Sequence, residues 1–233
     1  MAPARSKKKR RDAADWFRTL NRLSRTINLA SVDFAGVLKN LIRGLIRELG
    51  VDAVAVWVAE ESGFMKIEAS AGLSTKYTRF FNRTDRIPVG KGLVGRIMKG
   101  RKTIFFERPE DYRSIGVSRW NQMLEEERVS AILAAPMFVG TKIVGTFNIY
   151  YKRVPHRFSE GERQFIEILA NQIAITIENA SNYRIIERDK DEMREHIEKL
   201  LDLQRAVQLI NLAIYESLER AAEYIGAYVV EKF

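Results

Sequence analysis

Residues 87–106, IPVGKGLVGRIMKGRKTIFF, are followed by 129–151, VSAILAAPMFVGTKIVGTFNIYY, and by 158–180, FSEGERQFIEILANQIAITIENA. The first block reads as a glycine-punctuated turn into a short helix that Lys99-Gly100 closes, then a strand over Lys102–Phe106. The second is a hairpin of Val129–Val139 and Lys142–Tyr151, turned at Gly140-Thr141 where glycine permits the reversal. The third opens with Ser159 and Glu162 at the spacing of a capping box, in which each side chain satisfies the other's free backbone donor. A turn-helix-strand, a tight hairpin and a capped long helix, in that order, decide the fold.

Upstream, a helix is expected over Asp15–Asn28, with Phe17, Leu20, Leu23 and Ile27 on one stripe. Ser31 and Asp33 offer caps for a second helix, in which Phe34, Leu38, Leu41, Leu45 and Leu49 recur at spacings of three and four. Gly50 ends it as a left-handed glycine does. Val51–Ala59 is apolar on both faces after Asp52, which predicts a strand covered on both sides. Phe64–Ala71 alternates, a strand with one wet face. A short helix is expected around Ser74–Asn82, and Glu107–Arg128 is irregular, holding a loop and one helix over Trp120–Glu127.

Downstream, neither glycine nor proline interrupts Glu162 to Ile225, an unbroken length of roughly 95 Å if helical. The apolar stripe is broad up to Ala180, as for packing on a sheet. Beyond it Ile186, Met193, Leu200, Val207 and Ile214 fall seven apart. Tyr183, Ile197 and Leu218 occupy the complementary heptad position, interrupted by Lys190, Gln204 and Asn211. The tail also echoes the start: Thr26-Ile27-Asn28-Leu29-Ala30 resembles Leu209-Ile210-Asn211-Leu212-Ala213. The expected organisation is a disordered basic tail over 1–14, a globular domain over 15–183 and a helical coiled-coil segment over 184–233.

The net charge of +9 is unevenly placed, because Arg5, Lys7, Lys8, Lys9, Arg10 and Arg11 supply six of the positive charges. The rest of the chain carries only about +3, as an ordinary domain does, and the tail reads as a solvated terminus open to weak contact with nucleic acid or anionic lipid. No run of 18 or more uncharged apolar residues is present, so no membrane span is expected, nor does an apolar stretch follow the basic tail as in a secretory signal. A soluble, cytoplasmic protein is the expectation. Cysteine is absent, which removes disulfides, thiolate metal sites and thiol nucleophiles.

Gly90-Lys91-Gly92-Leu93-Val94-Gly95 spells the dinucleotide fingerprint. The next strand follows within eight residues, however, and Asp111 falls in a loop rather than at a strand end about twenty positions on, so the context for a cofactor is missing. The only histidines, His156 and His196, stand on different elements without a second ligand at metal spacing. His196 reads as a solvated helix position. The residues around it do not match a phosphoacceptor motif. No serine sits in a nucleophile elbow, and no acid–base pair stands out, so an enzyme is not expected.

The block over 87–180, extended back to about Phe34, closely resembles the GAF family of small-molecule sensory domains. The resemblance implies an α/β fold: a central antiparallel sheet of five or six strands, with the N- and C-terminal helices on one face and the shorter helices with Glu107–Arg128 on the other. It also implies sensing rather than catalysis. GAF proteins that reduce free methionine sulfoxide need cysteines, and those that hold bilins covalently usually use one, so neither applies to this chain. The NKxnFxxxDE signature often found in cyclic-nucleotide-binding members is absent as well. In GAF folds the irregular segment closes over the ligand, which makes Phe105, Tyr112, Arg113, Trp120, Met123, Asn148 and Tyr150 the candidate ligand-binding residues. No cofactor is identified. The expectation is a sensor, homodimeric through a seam of Ile186, Met193, Ile197, Leu200 and Val207. The competing reading is a ligand-free scaffold that dimerises while its basic tail touches nucleic acid or an anionic surface.

Overall fold

The computed structural model describes residues 34–114 and 117–232. The expected helix over Asp15–Asn28, its neighbouring caps Ser31 and Asp33, and the basic tail lie outside the described residues. The chain divides after Ser181 into two compact units, each described by itself below.

Among its described residues, the first unit is built on six strands. In chain order they are β1 (Ala53–Ala59), β2 (Phe64–Ala71), β3 (Ile87–Pro88), β4 (Ile104–Phe106), β5 (Val129–Val139) and β6 (Lys142–Lys152). They pair in the order β3-β2-β1-β6-β5-β4, and every pairing is antiparallel. The helices are α1 (Phe34–Leu49), α2 (Thr75–Arg79), α3 (Gly92–Gly100), α4 (Pro109–Arg113), α5 (Ser118–Glu126) and α6 (Glu160–Lys232). A π-helical turn, Phe80–Thr84, continues α2.

Because strand side chains alternate in direction, the sheet has two cores. On one face Val54, Val56, Leu133, Phe147 and Ile149 pack on Leu38, Ile42, Leu45 and Leu49 of α1 and on Phe165, Ile166, Leu169 and Ile173 of α6. On the other, Ala53, Ala55, Trp57, Ile132 and Tyr150 lie under α2, α3, α4 and α5, which supply Tyr77, Val94, Tyr112, Trp120 and Met123. Thus β1 is covered on both sides, as its uninterrupted apolar run predicts. Beyond the two-residue β3, the edge of β2 is finished by a side chain: Asn82 accepts from Ile67 N–H at 2.8 Å and donates to its carbonyl at 2.9 Å, in place of a longer strand.

Three local expectations are corrected. Glu107–Arg128 holds two helices, α4 and α5, rather than one, since a five-residue helix is too short to show a period. The helix read as Ser74–Asn82 starts as an α-helix, capped by the Ser74 hydroxyl accepting from Tyr77 N–H, and then widens into the π-turn. At the start of α6, the Ser159 hydroxyl does accept from Glu162 N–H at 3.2 Å. The Glu162 carboxylate, however, turns to the Tyr151 hydroxyl at 2.9 Å and to His156 Nε2 at 3.0 Å. A buried-edge phenol and an imidazole outcompete the reciprocal half of the capping box.

The second unit, from Asn182, is helical throughout its described length. Its apolar side chains stand in solvent, among them Ile186, Met193, Ile197, Leu200 and Val207. Short-range ion pairs run beside them, including Lys190–Glu187, Arg194–Asp191 and Lys199–Glu195. Among the described residues, no helix is long and apolar enough to cross a membrane.

Candidate functional site

The polar residues of the sheet centre are gathered on its second face. β1 contributes Trp57, while β6 contributes Thr146, Asn148 and Tyr150, and each is at most 1 % exposed. Their register puts Trp57 opposite Thr146 and Ala55 opposite Asn148, so Trp57 and Asn148 are diagonal neighbours on adjacent strands. Between them and the overlying helices is a cavity of about 50 Å³. That volume takes about four water-sized groups at roughly 10–15 Å³ each. Its walls are chiefly aromatic: Trp57, Tyr77, Phe81, Phe106, Tyr112 and Trp120, with Asn121, Asn148 and Tyr150 adding polar groups. Among the described residues that line it, none carries a charged side chain.

Among the described residues, three buried polar atoms have no hydrogen-bond partner: Trp57 Nε1, Thr146 Oγ1 and Asn148 Oδ1. Asn148 Nδ2 donates to the Tyr150 hydroxyl at 3.2 Å. Rotating the amide would merely exchange an unpaired carbonyl for an unpaired NH₂. The Trp57 N–H is close to the same hydroxyl but lacks hydrogen-bonding geometry. Tyr77 and Tyr150 meet edge to face, ring centres 6.5 Å apart. Burial raises the pKa of both phenols, and the negative charge of Glu127 adds to the effect. Both therefore remain neutral hydroxyls, able to donate and accept.

The lid over the cavity is pinned at its rim. Trp120 Nε1 donates to Asp85 at 2.7 Å, and Arg119 pairs with that same carboxylate. Tyr112 donates its hydroxyl to Val129 carbonyl at 3.1 Å. Behind α5, Glu127 accepts from Ser74 N–H at 2.9 Å and from Lys152 Nζ at 2.6 Å, and Lys152 also donates to Gly72 carbonyl at 2.6 Å. Burial opposes ionisation of Glu127, but the hydrogen bonds from Lys152 and Ser74 outweigh it, leaving its pKa below the usual value.

The glycine motif is part of this lid. Gly92 has φ +59°, and a Cβ there would lie 2.8 Å from the Trp120 ring. A Cβ on Gly95 would lie 2.4 Å from Pro88 carbonyl, while Gly90 N–H donates to Gly95 carbonyl at 2.8 Å. The turn closes on its own backbone and on Trp120, and the Gly90 donor that a phosphate cradle would use is already taken.

Of the candidate residues, Tyr112, Trp120, Asn148 and Tyr150 line the cavity, and Met123 is buried in the same core. Phe105 and Arg113 lie elsewhere. Phe105 packs against Phe158 and under the Arg163 guanidinium, and Arg113 pairs with Glu125 at 2.8 Å in solvent. The sequence reading missed Trp57, Tyr77 and Phe81. The four-residue spacing of Tyr77 and Phe81 was the available signal for two of them.

A larger open cleft of about 560 Å³ runs between β4 and α6, past Arg101, Lys102, Phe105, Phe138 and Arg163. Several of its groups are held by protein partners: Arg101 lies over Phe138 and donates to Thr141 carbonyl, Thr103 donates to Glu167, and Asn171 accepts from Phe138 N–H. It is a surface furrow, and the smaller cavity is the better candidate because its polar atoms lack partners. His156 stacks on Tyr151 at 3.7 Å, and His196 bonds the Glu192 carbonyl of its own helix. Among the described residues, no group of three or more acidic or histidine side chains is placed to hold a metal ion.

Several solved structures share this architecture. The GAF domain of a phosphoenolpyruvate-protein phosphotransferase from Coxiella burnetii is 22% identical, with a TM-score of 0.63 over 74% of this chain and 98% of that one. A free methionine-R-sulfoxide reductase from Neisseria meningitidis, solved with its substrate, is 16% identical, with a TM-score of 0.60 over 77% of this chain and 98% of that one. The phycoerythrobilin-bound GAF domain of a cyanobacterial phytochrome is 14% identical, with a TM-score of 0.55 over 72% and 97%. At these identities the likeness concerns the fold alone. No curated protein matches the chain. A family model described as GAF domain matches residues 31–178, which is well over half of the sequence and takes in both faces of the sheet. The chain belongs to the GAF domain family.

Proposed function

We propose that the chain is a non-catalytic sensor whose cavity between β1–β6 and α5 binds a small molecule, and that it signals as a dimer through the distal part of α6. The observation that carries this reading is the pair of unpaired buried atoms, Trp57 Nε1 and Asn148 Oδ1, on two residues that wall the cavity. An unpaired buried donor or acceptor costs about 1–3 kcal/mol. A ligand that supplied the missing partners would recover that cost.

Strand alternation supplies a route for the signal. β6 turns Asn148 and Tyr150 to the cavity, while Phe147 and Ile149 between them pack in the core shared with Phe165, Leu169 and Ile173 of α6. A change in the seating of β6 is felt on both faces, because close-packed cores do not deform continuously.

Native mass spectrometry of the purified protein, with an absorption spectrum of the same sample, tests the reading. A retained small molecule on a dimeric species supports it. A ligand-free protein that also gives no thermal shift across a screen of small metabolites leaves the scaffold reading instead.

A further inference from the structure

From the charge and hydrogen-bonding pattern of the cavity we infer that its ligand is a small uncharged molecule bearing an adjacent acceptor and donor, an amide-type group, and that anions are excluded. The inference rests on the sensor reading and narrows it to a chemical class.

Two features select against an anion. None of the described lining residues is cationic. The charges packed around it are already matched, Glu127 with Lys152, Asp85 with Arg119 and Arg113 with Glu125. A carboxylate or phosphate entering between them would lose its hydration without gaining a counter-ion, and an unpaired buried charge is far costlier than a buried neutral dipole. Two further features select for an amide. Trp57 offers a donor that needs an acceptor, and Asn148 offers a carbonyl that needs a donor. They are diagonal neighbours on adjacent strands and both wall the cavity, and one planar group with its carbonyl and NH₂ side by side supplies both missing partners. The aromatic walls accommodate a short apolar substituent, and the volume limits the whole to a few non-hydrogen atoms.

Three near-isosteric probes separate the terms: propanamide (acceptor and donor), butanone (acceptor only) and propanoate (anion). Their dissociation constants would be measured by saturation-transfer NMR titration against the intact chain, against Asn148→Leu and against Trp57→Phe, with thermal melts confirming that each variant is folded. The expected order is propanamide tightest, butanone weaker and propanoate weakest. Propanamide should bind at least about tenfold more tightly than propanoate, which corresponds to about 1.4 kcal/mol. Asn148→Leu should abolish the preference of propanamide over butanone. Trp57→Phe should weaken both neutral probes. Propanoate binding as tightly as propanamide would overturn the class while leaving a ligand cavity in place. An unchanged propanamide response in Asn148→Leu would place the binding elsewhere and overturn it too. No transfer from any of the three probes would remove the cavity as a ligand site and the inference with it.

Discussion

Asn148 and Tyr150 stand two positions apart on β6 and share one hydrogen bond, Asn148 Nδ2 to the Tyr150 hydroxyl at 3.2 Å, which leaves the Asn148 carbonyl oxygen buried and unpaired. A strand selected only for stability would place apolar side chains at the centre of the sheet. β6 instead carries Thr146, Asn148 and Tyr150 on one face, and a polar face under a lid is unexpected unless it meets something polar.

Thr146 gives the cleanest measure of that cost. Its hydroxyl is buried without a partner, and valine has nearly the same shape. Thr146→Val is expected to raise stability by about 1 kcal/mol, the low end of the penalty for an unsatisfied buried group. For a domain of this size that is about 2–4 °C in melting temperature. A calorimetric scan showing no change, or a fall, means that the hydroxyl is paired in solution.

Gly92 is the point at which the lid tolerates no side chain. Its positive φ costs an L-residue roughly 1–2 kcal/mol, and the added Cβ would overlap a Trp120 ring fixed by Asp85. Overpacking adds about 1–3 kcal/mol. Gly92→Ala should therefore destabilise the domain and shift tryptophan emission to longer wavelength as Trp120 is pushed toward solvent. A variant with wild-type emission and stability would show that the turn and α5 are not in contact.

The fold was legible because its signals are local and periodic. The β5–β6 hairpin and the start of α6 each announce themselves within one continuous stretch of sequence. The site was only partly legible, for a geometric reason. Phe105 and Phe106 are adjacent, so which one faces the cavity depends on the pairing of Phe106 with Ile132, and a shift of one residue reverses the answer. Phe106 lines the cavity, and Phe105 faces away. Trp57 reads in sequence as an ordinary core aromatic, since an unsatisfied indole N–H is a property of the assembled sheet. The Ser74–Glu127–Lys152 linkage joins residues 53 and 25 positions apart, and no local pattern signals it.

Glu127 predicts an acid response with a definite sign. Its folded pKa lies below the usual value, so the stabilisation it contributes is fully present above the unfolded pKa of about 4.3. It is lost progressively as the pH falls through the lowered folded value. Glu127→Gln should be less stable than wild type at neutral pH, because Lys152 loses its carboxylate partner. The gap should narrow as the medium is acidified below about pH 4.3. Parallel thermal melts of the two proteins across that range check this, and a gap that stays constant would assign the difference to packing rather than charge.

The proposed seam can be tested with unusual economy because the chain contains no cysteine. Ile186, Met193, Leu200 and Val207 recur every seven residues and are all more than half exposed. In a parallel, in-register coiled coil each would face its own copy across the seam, near the Cα separation of about 4.4–6.8 Å that a disulfide requires. Single Met193→Cys, Leu200→Cys and Val207→Cys variants should then all cross-link on mild oxidation, to similar extents. In an antiparallel pair only a position near the crossing point would do so, and the other two would stay uncross-linked. Ile197→Asp with Leu200→Asp should give monomers by sedimentation, since it places two charges in each helix of the seam. If that variant remains dimeric and none of the cysteines cross-links, the two copies meet through another surface.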